Sequence, residues 1–286
     1  MGRVAALITP AELAEALAGE HPPVLLDVRW RLGGPPGRAE YERGHLPGAV
    51  FVDLDTELAA PPGPNGRHPL PDPDALQSTL RRAGVRSDRP VVIYDTADGS
   101  VAARAWWLLR WVGHDAVSVL DGGYTAWVAE GRPVTTDEPR PEPGDLTVRP
   151  GTLPVVDADG AADLARAGVL LDARAPERYR GDVEPVDPRA GHVPGARNAP
   201  FSEHVDGTGR WRSPEELRER FAALGVGRDG PVGAYCGSGV TACSVLLALE
   251  VAGLSTPERP AVLYAGSWSH WSADPTRPAA TGDQPG

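Results

Sequence analysis

A chain of 286 residues is about two domains long at roughly 150 residues each. Its 41% hydrophobic and 23% charged residues are ordinary globular usage, which excludes a disordered chain and lets each half bury a core. The 39 acidic residues outnumber 28 basic ones, all arginine, and the net charge of -11 repels nucleic acid and anionic membrane surfaces, so neither is an expected partner.

No run approaches the roughly 18 apolar residues of a membrane span. Residues 4–8, interrupted by Thr9, Pro10 and Glu12, are also too few for a signal-peptide core. Two cysteines, Cys236 and Cys243, and seven scattered histidines make neither a disulfide framework nor a metal signature. The expectation is a cytoplasmic protein without metal.

Along the chain, Thr9-Pro10 with Glu12 is a capping box carrying a first-turn proline, so a helix starts there. Residues 24–28 are a short apolar run ending in Asp27-Val28-Arg29. A turn, Gly44-His45-Leu46-Pro47-Gly48-Ala49, follows. Residues 74–83 carry a helical pattern, and 91–94 an apolar strand ending at Tyr94-Asp95. Trp106, Trp107 and Trp111 stand at helical spacing and predict a core face. Asp121-Gly122-Gly123 marks another turn. Residues 137–154, rich in proline and without apolar periodicity, read as an exposed linker.

Beyond that stretch the landmarks return in the same order. Residues 169–173 end in Asp172-Ala173-Arg174, and Gly191-His192-Val193-Pro194-Gly195-Ala196 repeats the earlier turn. Ser213-Pro214 with Glu216 starts a helix over 213–224, a strand over 231–235 ends at Tyr235-Cys236, and Tyr264-Ala265-Gly266 answers Asp121-Gly122-Gly123. An offset of a whole domain means duplication rather than a solenoid. The expected organisation is a domain over 1–136, a linker over 137–152 and a domain over 153–286. Each domain is α/β, with a mostly parallel central sheet flanked by helices. His45 and His192 recur in both halves and therefore read as turn-shaping residues. Trp30 and the pair Trp268 and Trp271 are candidates to line a cleft.

The most informative segment is Tyr235-Cys236-Gly237-Ser238-Gly239-Val240-Thr241-Ala242, a turn from a strand end to a helix start. There the N–H groups of a glycine-rich loop converge on one atom and the helix dipole adds positive potential. A thiolate so placed has a pKa of about 3.5 to 7.5, so Cys236 reads as an ionised nucleophile. Gly237 and Gly239 waste chain entropy unless the backbone curls tightly or approaches a ligand. Cys243, on the helix, reads as core. A cysteine phosphatase would need an arginine where Ala242 stands, and a serine-hydrolase elbow would need glycines two before and two after Ser238; both readings fail.

These residues resemble the rhodanese sulfurtransferases in their two-domain form. The resemblance rests on the two Gly-His-x-Pro-Gly turns, on Asp121-Gly122-Gly123 followed by Trp127, and on the Cys236 loop. It implies an inactive first domain, with Asp95 at the position of Cys236, and an active site in the cleft between the domains. The string Cys-Gly-Ser-Gly-Val-Thr resembles the 3-mercaptopyruvate type, whereas thiosulfate types carry cationic residues after the cysteine. By that resemblance Ser238 joins His68 and Asp55, with Asp53 the alternative to Asp55. Arg178 and Arg189 grip the substrate, and Gly237, Gly239, Val240 and Thr241 of the loop bind it as well. The implied reaction moves sulfur from a small-molecule donor through a Cys236 persulfide to a thiol, thioredoxin or cyanide acceptor, with no cofactor. The alternatives are a thiosulfate donor with the same chemistry and a non-catalytic binding module.

Overall fold

In the computed structural model, which describes residues 4–286, the chain forms two compact units. The first takes the chain up to Ala60, Pro71–Thr152 and Val205–Trp211; the second takes Pro61–Leu70, Leu153–His204 and Arg212–Gly286. Each half of the sequence thus lends a short segment to the other half's unit.

Each unit is built on five strands. In the first these are β1 (Leu7–Ile8), β2 (Val24–Asp27), β3 (Val50–Phe51), β4 (Val91–Tyr94) and β5 (Val117–Leu120), in the order β1-β5-β4-β2-β3. In the second they are β6 (Val155–Val156), β7 (Val169–Asp172), β8 (Arg197–Asn198), β9 (Val232–Tyr235) and β10 (Val262–Tyr264), in the order β6-β10-β9-β7-β8. Every strand pair is parallel. The central strands read as unbroken apolar runs because helices cover both faces of such a sheet, and all four residues of β4 and of β9 are buried. The α/β expectation holds. The register repeats as well: Asp27 pairs with Tyr94 and Asp172 with Tyr235.

Both capping boxes form, Thr9 with Glu12 at the helix Pro10–Leu17 and Ser213 with Glu216 at the helix Pro214–Ala223. Among the described residues no helix is long and apolar enough to cross a membrane. Trp106, Trp107 and Trp111 are buried as expected. Trp268 and Trp271, read as cleft candidates, belong to the core of the second unit beside Tyr235 and Tyr264. Their indole N–H groups are satisfied by the carbonyls of Arg189 and Pro278, which lets so large a side chain be buried completely.

The Asp-x-Arg landmarks are structural clamps. Arg29 donates to both oxygens of Asp27 and, at 2.8 Å, to the Gly44 carbonyl. Arg174 does the same to Asp172 and, at 2.7 Å, to the Gly191 carbonyl. Each clamp ties the end of a sheet strand to the Gly-His-x-Pro turn. Burial works against the Arg174 charge, but Asp172 outweighs it and holds the guanidinium protonated. The turn histidines are structural too. His45 stacks on Tyr41 and His192 on Tyr179, each at 3.7 Å between ring centroids, with Nδ1 on that tyrosine's carbonyl.

The stretch read as an exposed linker is strapped along the first unit. Gly144 N–H donates to Arg81 O, Arg149 N–H to Val112 O and Thr152 N–H to Trp111 O, and Leu146 is buried. A Cβ on Gly144 would lie 1.8 Å from Val85 O, so glycine is required there for close approach rather than for looseness.

Removing one partner of a buried ion pair leaves an uncompensated charge and costs about 3–5 kcal/mol. Arg29→Leu should therefore lower the unfolding free energy of the first unit by that amount in urea titration. A loss under about 1 kcal/mol, the value of a surface pair, would show that the clamp is not what holds the turn.

Candidate active site

Cys236 directly follows β9, at the carboxyl end of the central strand of the second sheet, where ligands bind in parallel α/β sheets. The loop then turns into the helix Ala242–Val251. At Gly239 φ is +85°, and a Cβ there would stand 2.4 Å from Ala265 O. Only glycine fits, and its N–H reaches Cys236 Sγ at 3.1 Å. Cys236 O and Gly237 O accept the N–H groups of Trp268 and Ser269 at 2.9 and 2.8 Å. Val240 O and Thr241 O receive the first turns of the helix from Cys243 N and Ser244 N. Cys243 is buried and donates its thiol to Gly239 O at 3.4 Å.

Ser238 Oγ lies 2.7 Å from His68 Nδ1, and both side chains are buried. His68 belongs to the second unit because segment 61–70 is seated there. Arg67 N–H donates to Ser269 Oγ at 3.0 Å, and Gly66 packs so closely that a Cβ would lie 2.7 Å from Gly266 O. Asp55 stands in the helix Leu54–Glu57 of the first unit and accepts Trp30 Nε1 at 2.9 Å. Asp53 caps that same helix, accepting the N–H and hydroxyl of Thr56, so each of the two carboxylates has a bond within the first unit.

Two arginines lie over the start of the loop. A Cβ built on Gly237 would be 3.1 Å from Arg67 Nη2 and 3.4 Å from Arg178 Nη1. Asp187 joins them, one oxygen on Arg67 Nη1 at 2.7 Å and the other on Arg178 Nη2 at 3.1 Å. Glu184 accepts from Arg178 at 2.6 Å and from Arg174 at 3.3 Å. Both carboxylates are nearly inaccessible, at 3% and 4%. Burial works against the Glu184 charge, yet Arg178 and the N–H groups of Asp187 and Val186 hold its carboxyl below the usual range.

Arg189, the expected second arginine, is placed otherwise. Its guanidinium donates to the carbonyls of Trp271, Ser272, Asp274 and Arg277, closing the end of the helix Ser267–Ala273. A guanidinium has five donors, and these bonds spend most of them on main chain. Arg67 takes the place over Gly237. Its only sequence signal was its position directly before His68.

The first unit carries the corresponding loop with Asp95 at its head. Asp95 Oδ1 accepts the N–H groups of Ala97 and Gly99, and Oδ2 those of Val101 and Ala102, at 2.9 to 3.1 Å. A carboxylate thus fills its own cradle. The turn after the last strand also needs one correction. Tyr124 N–H meets Asp95 O as Trp268 N–H meets Cys236 O, so Asp121-Gly122-Gly123 matches Ala265-Gly266-Ser267, one residue later than the sequence pairing.

Comparison with known proteins agrees with this duplicated architecture. Residues 9–130 and 157–274 each match the Rhodanese-like domain. The chain belongs to the rhodanese family. It is 49% identical to a probable 3-mercaptopyruvate sulfurtransferase of Pseudomonas aeruginosa, over 98% of this chain and 99% of that one. It is 46% identical to a putative thiosulfate sulfurtransferase of Mycobacterium tuberculosis, over 96% and 97%. Among solved structures it resembles SseA of Escherichia coli, a 3-mercaptopyruvate sulfotransferase, with a TM-score of 0.81, 31% identity and coverage of 93% of this chain and 100% of that one.

Burial pushes the Asp95 carboxyl up to about 6, with the Asp98 charge adding to the rise and the main-chain donors opposing it. This lies above the roughly 3.9 of an exposed aspartate, so the folded state holds the proton more tightly. The group's contribution to stability is full below about pH 4 and is lost as pH rises through about 6. The stability of the wild type relative to Asp95→Asn should therefore fall between about pH 4 and pH 7 in urea titrations. A difference independent of pH would overturn this assignment.

Proposed function

We propose that this rhodanese-family sulfurtransferase takes its sulfur from 3-mercaptopyruvate, and that the single observation carrying this choice is the 2.7 Å contact of Ser238 Oγ with His68 Nδ1. Breaking the carbon–sulfur bond of a mercaptan requires a proton to leave sulfur and another to reach carbon, so a hydroxyl–imidazole relay is useful. Thiosulfate releases sulfite without any such transfer and has no need of the pair. A relative named for thiosulfate keeps that donor as the reading to test against.

In this reading the Cys236 thiolate attacks the donor sulfur. The carbon–sulfur bond breaks, its electron pair passes into the enolate of pyruvate, and the enolate carbon takes a proton. The thiol proton leaves through Ser238 and His68. A persulfide remains on Cys236, beside the Gly239 N–H, until an acceptor thiolate attacks the outer sulfur and releases Cys236. Arg67 and Arg178 hold the donor carboxylate and keto oxygen, arginine being suited to both by its planar fork of donors. No cofactor enters these steps. Thioredoxin, a small thiol or cyanide would serve as acceptor. The two unpaired cysteines fit a reducing, cytoplasmic setting.

Charge favours the same donor. Arg67, Arg174 and Arg178 are met by Asp172, Glu184 and Asp187, a balanced set that suits one carboxylate better than a dianion. On one preparation, kcat/KM for 3-mercaptopyruvate should exceed that for thiosulfate. His68→Gln should lower kcat with mercaptopyruvate by about 10²-fold or more while sparing thiosulfate. Mass spectrometry should find one added sulfur on Cys236 after donor exposure and none on Cys236→Ser. No added sulfur on the wild type would instead indicate a binding module.

Asp187→Asn removes one negative charge beside both arginines. It should raise thiosulfate turnover relative to mercaptopyruvate by about tenfold, the effect of roughly 1.4 kcal/mol. An unchanged donor ratio would show that Asp187 only positions the guanidinium groups.

A further inference from the structure

Ser267 is the only non-glycine residue with positive φ among the described residues, at +54°. That left-handed region is disfavoured for an L side chain, and such strain persists where the surrounding structure enforces it. Ser267 is completely buried. Its hydroxyl accepts the N–H of Cys236 at 3.1 Å and donates to Tyr264 O at 3.0 Å.

The first unit supplies an internal control. Gly123 stands at the matching position with φ +55°, the conformation that glycine adopts without penalty. Both units hold the carbonyls at the head of the loop alike, through Tyr124 and Thr125 in one and Trp268 and Ser269 in the other. Only the unit with a cysteine places a hydroxyl on the N–H of that head residue. The same turn therefore carries glycine where the loop closes on its own carboxylate, and a strained serine where it holds a thiol.

We infer that Ser267 is a positioning residue for sulfur transfer, its hydroxyl fixing the Cys236 peptide so that Sγ stays on the Gly239 N–H. With the Ser267 bond on the N–H and the Trp268 bond on the carbonyl, the main chain of Cys236 is held on both sides, and its Cα–Cβ direction follows. Without the hydroxyl the peptide turns more freely and the sulfur spends less time against the amide that favours its charge. The inference rests on Cys236 being the nucleophile, as in the reading above, but not on which donor loads it.

The test uses the full chain with two variants. Ser267→Gly removes the hydroxyl and relieves the strained backbone; Ser267→Ala removes the hydroxyl and keeps it. Alkylation of Cys236 by iodoacetamide at pH 7 should slow about fivefold to tenfold in both, the scale of one hydrogen bond. The kcat for transfer should fall similarly, with the donor KM changed less than about twofold, because this hydroxyl touches no substrate. Ser267→Gly should unfold at a higher temperature than Ser267→Ala, which keeps the strained backbone, so an effect of equal size in both variants is separated from loss of fold. Wild-type alkylation and kcat in Ser267→Gly would overturn the inference and leave Ser267 a mere turn residue. Failure of mercaptopyruvate to load Cys236, with the alkylation difference intact, would instead refute the donor and leave the positioning role standing.

Discussion

Everything at the site depends on one constraint: main-chain N–H groups turn inward where a central parallel strand passes into a helix. Such a turn cannot be left empty, because buried amides without an acceptor are costly. In the second unit Cys236 Sγ is the acceptor for Gly239 N–H. In the first, the Asp95 carboxylate takes four N–H groups. The two halves answer one backbone requirement with two chemistries, and only the sulfur can form and release a covalent bond to a second sulfur. Asp95 is thus the reason the first unit keeps its loop shape without a nucleophile.

The rest of each unit serves to present that loop. The Asp-x-Arg clamps are repeated nearly atom for atom, with guanidinium on carboxylate and on the carbonyl of the Gly-His-x-Pro turn. They fix the strand next to the central one, in the same register in both sheets. What the halves share is scaffold. They differ within the loop, on the turn that packs against it at Gly123 or Ser267, in the segment holding Arg67 and His68, and in the stretch that carries Glu184 and Asp187.

That segment alters the chemistry available to the cysteine. It comes from the first half of the sequence yet folds as part of the second unit, bringing an imidazole to Ser238 and a guanidinium over Gly237. The carboxylates of Asp187 and Glu184 offset the arginine charge in a buried setting, where pairing matters more than at a surface. In a chain with a net charge of -11, the arginines beside the Cys236 loop are thus matched by carboxylates.

Read alone, the sequence determined the duplication, the α/β class, both capping boxes and the loop around Cys236, because each is written in residues close together in the chain and governed by local backbone preferences. Tertiary structure decided the rest. It set Arg67 rather than Arg189 over Gly237, packed Trp268 and Trp271 into the core, strapped the proline-rich stretch to the first unit, and shifted the last turn by one residue so that Ser267 meets Cys236. These depend on contacts between residues far apart in sequence, where a guanidinium's partners are chosen by which carbonyls and carboxylates the fold brings within reach, and no periodicity or spacing records that choice.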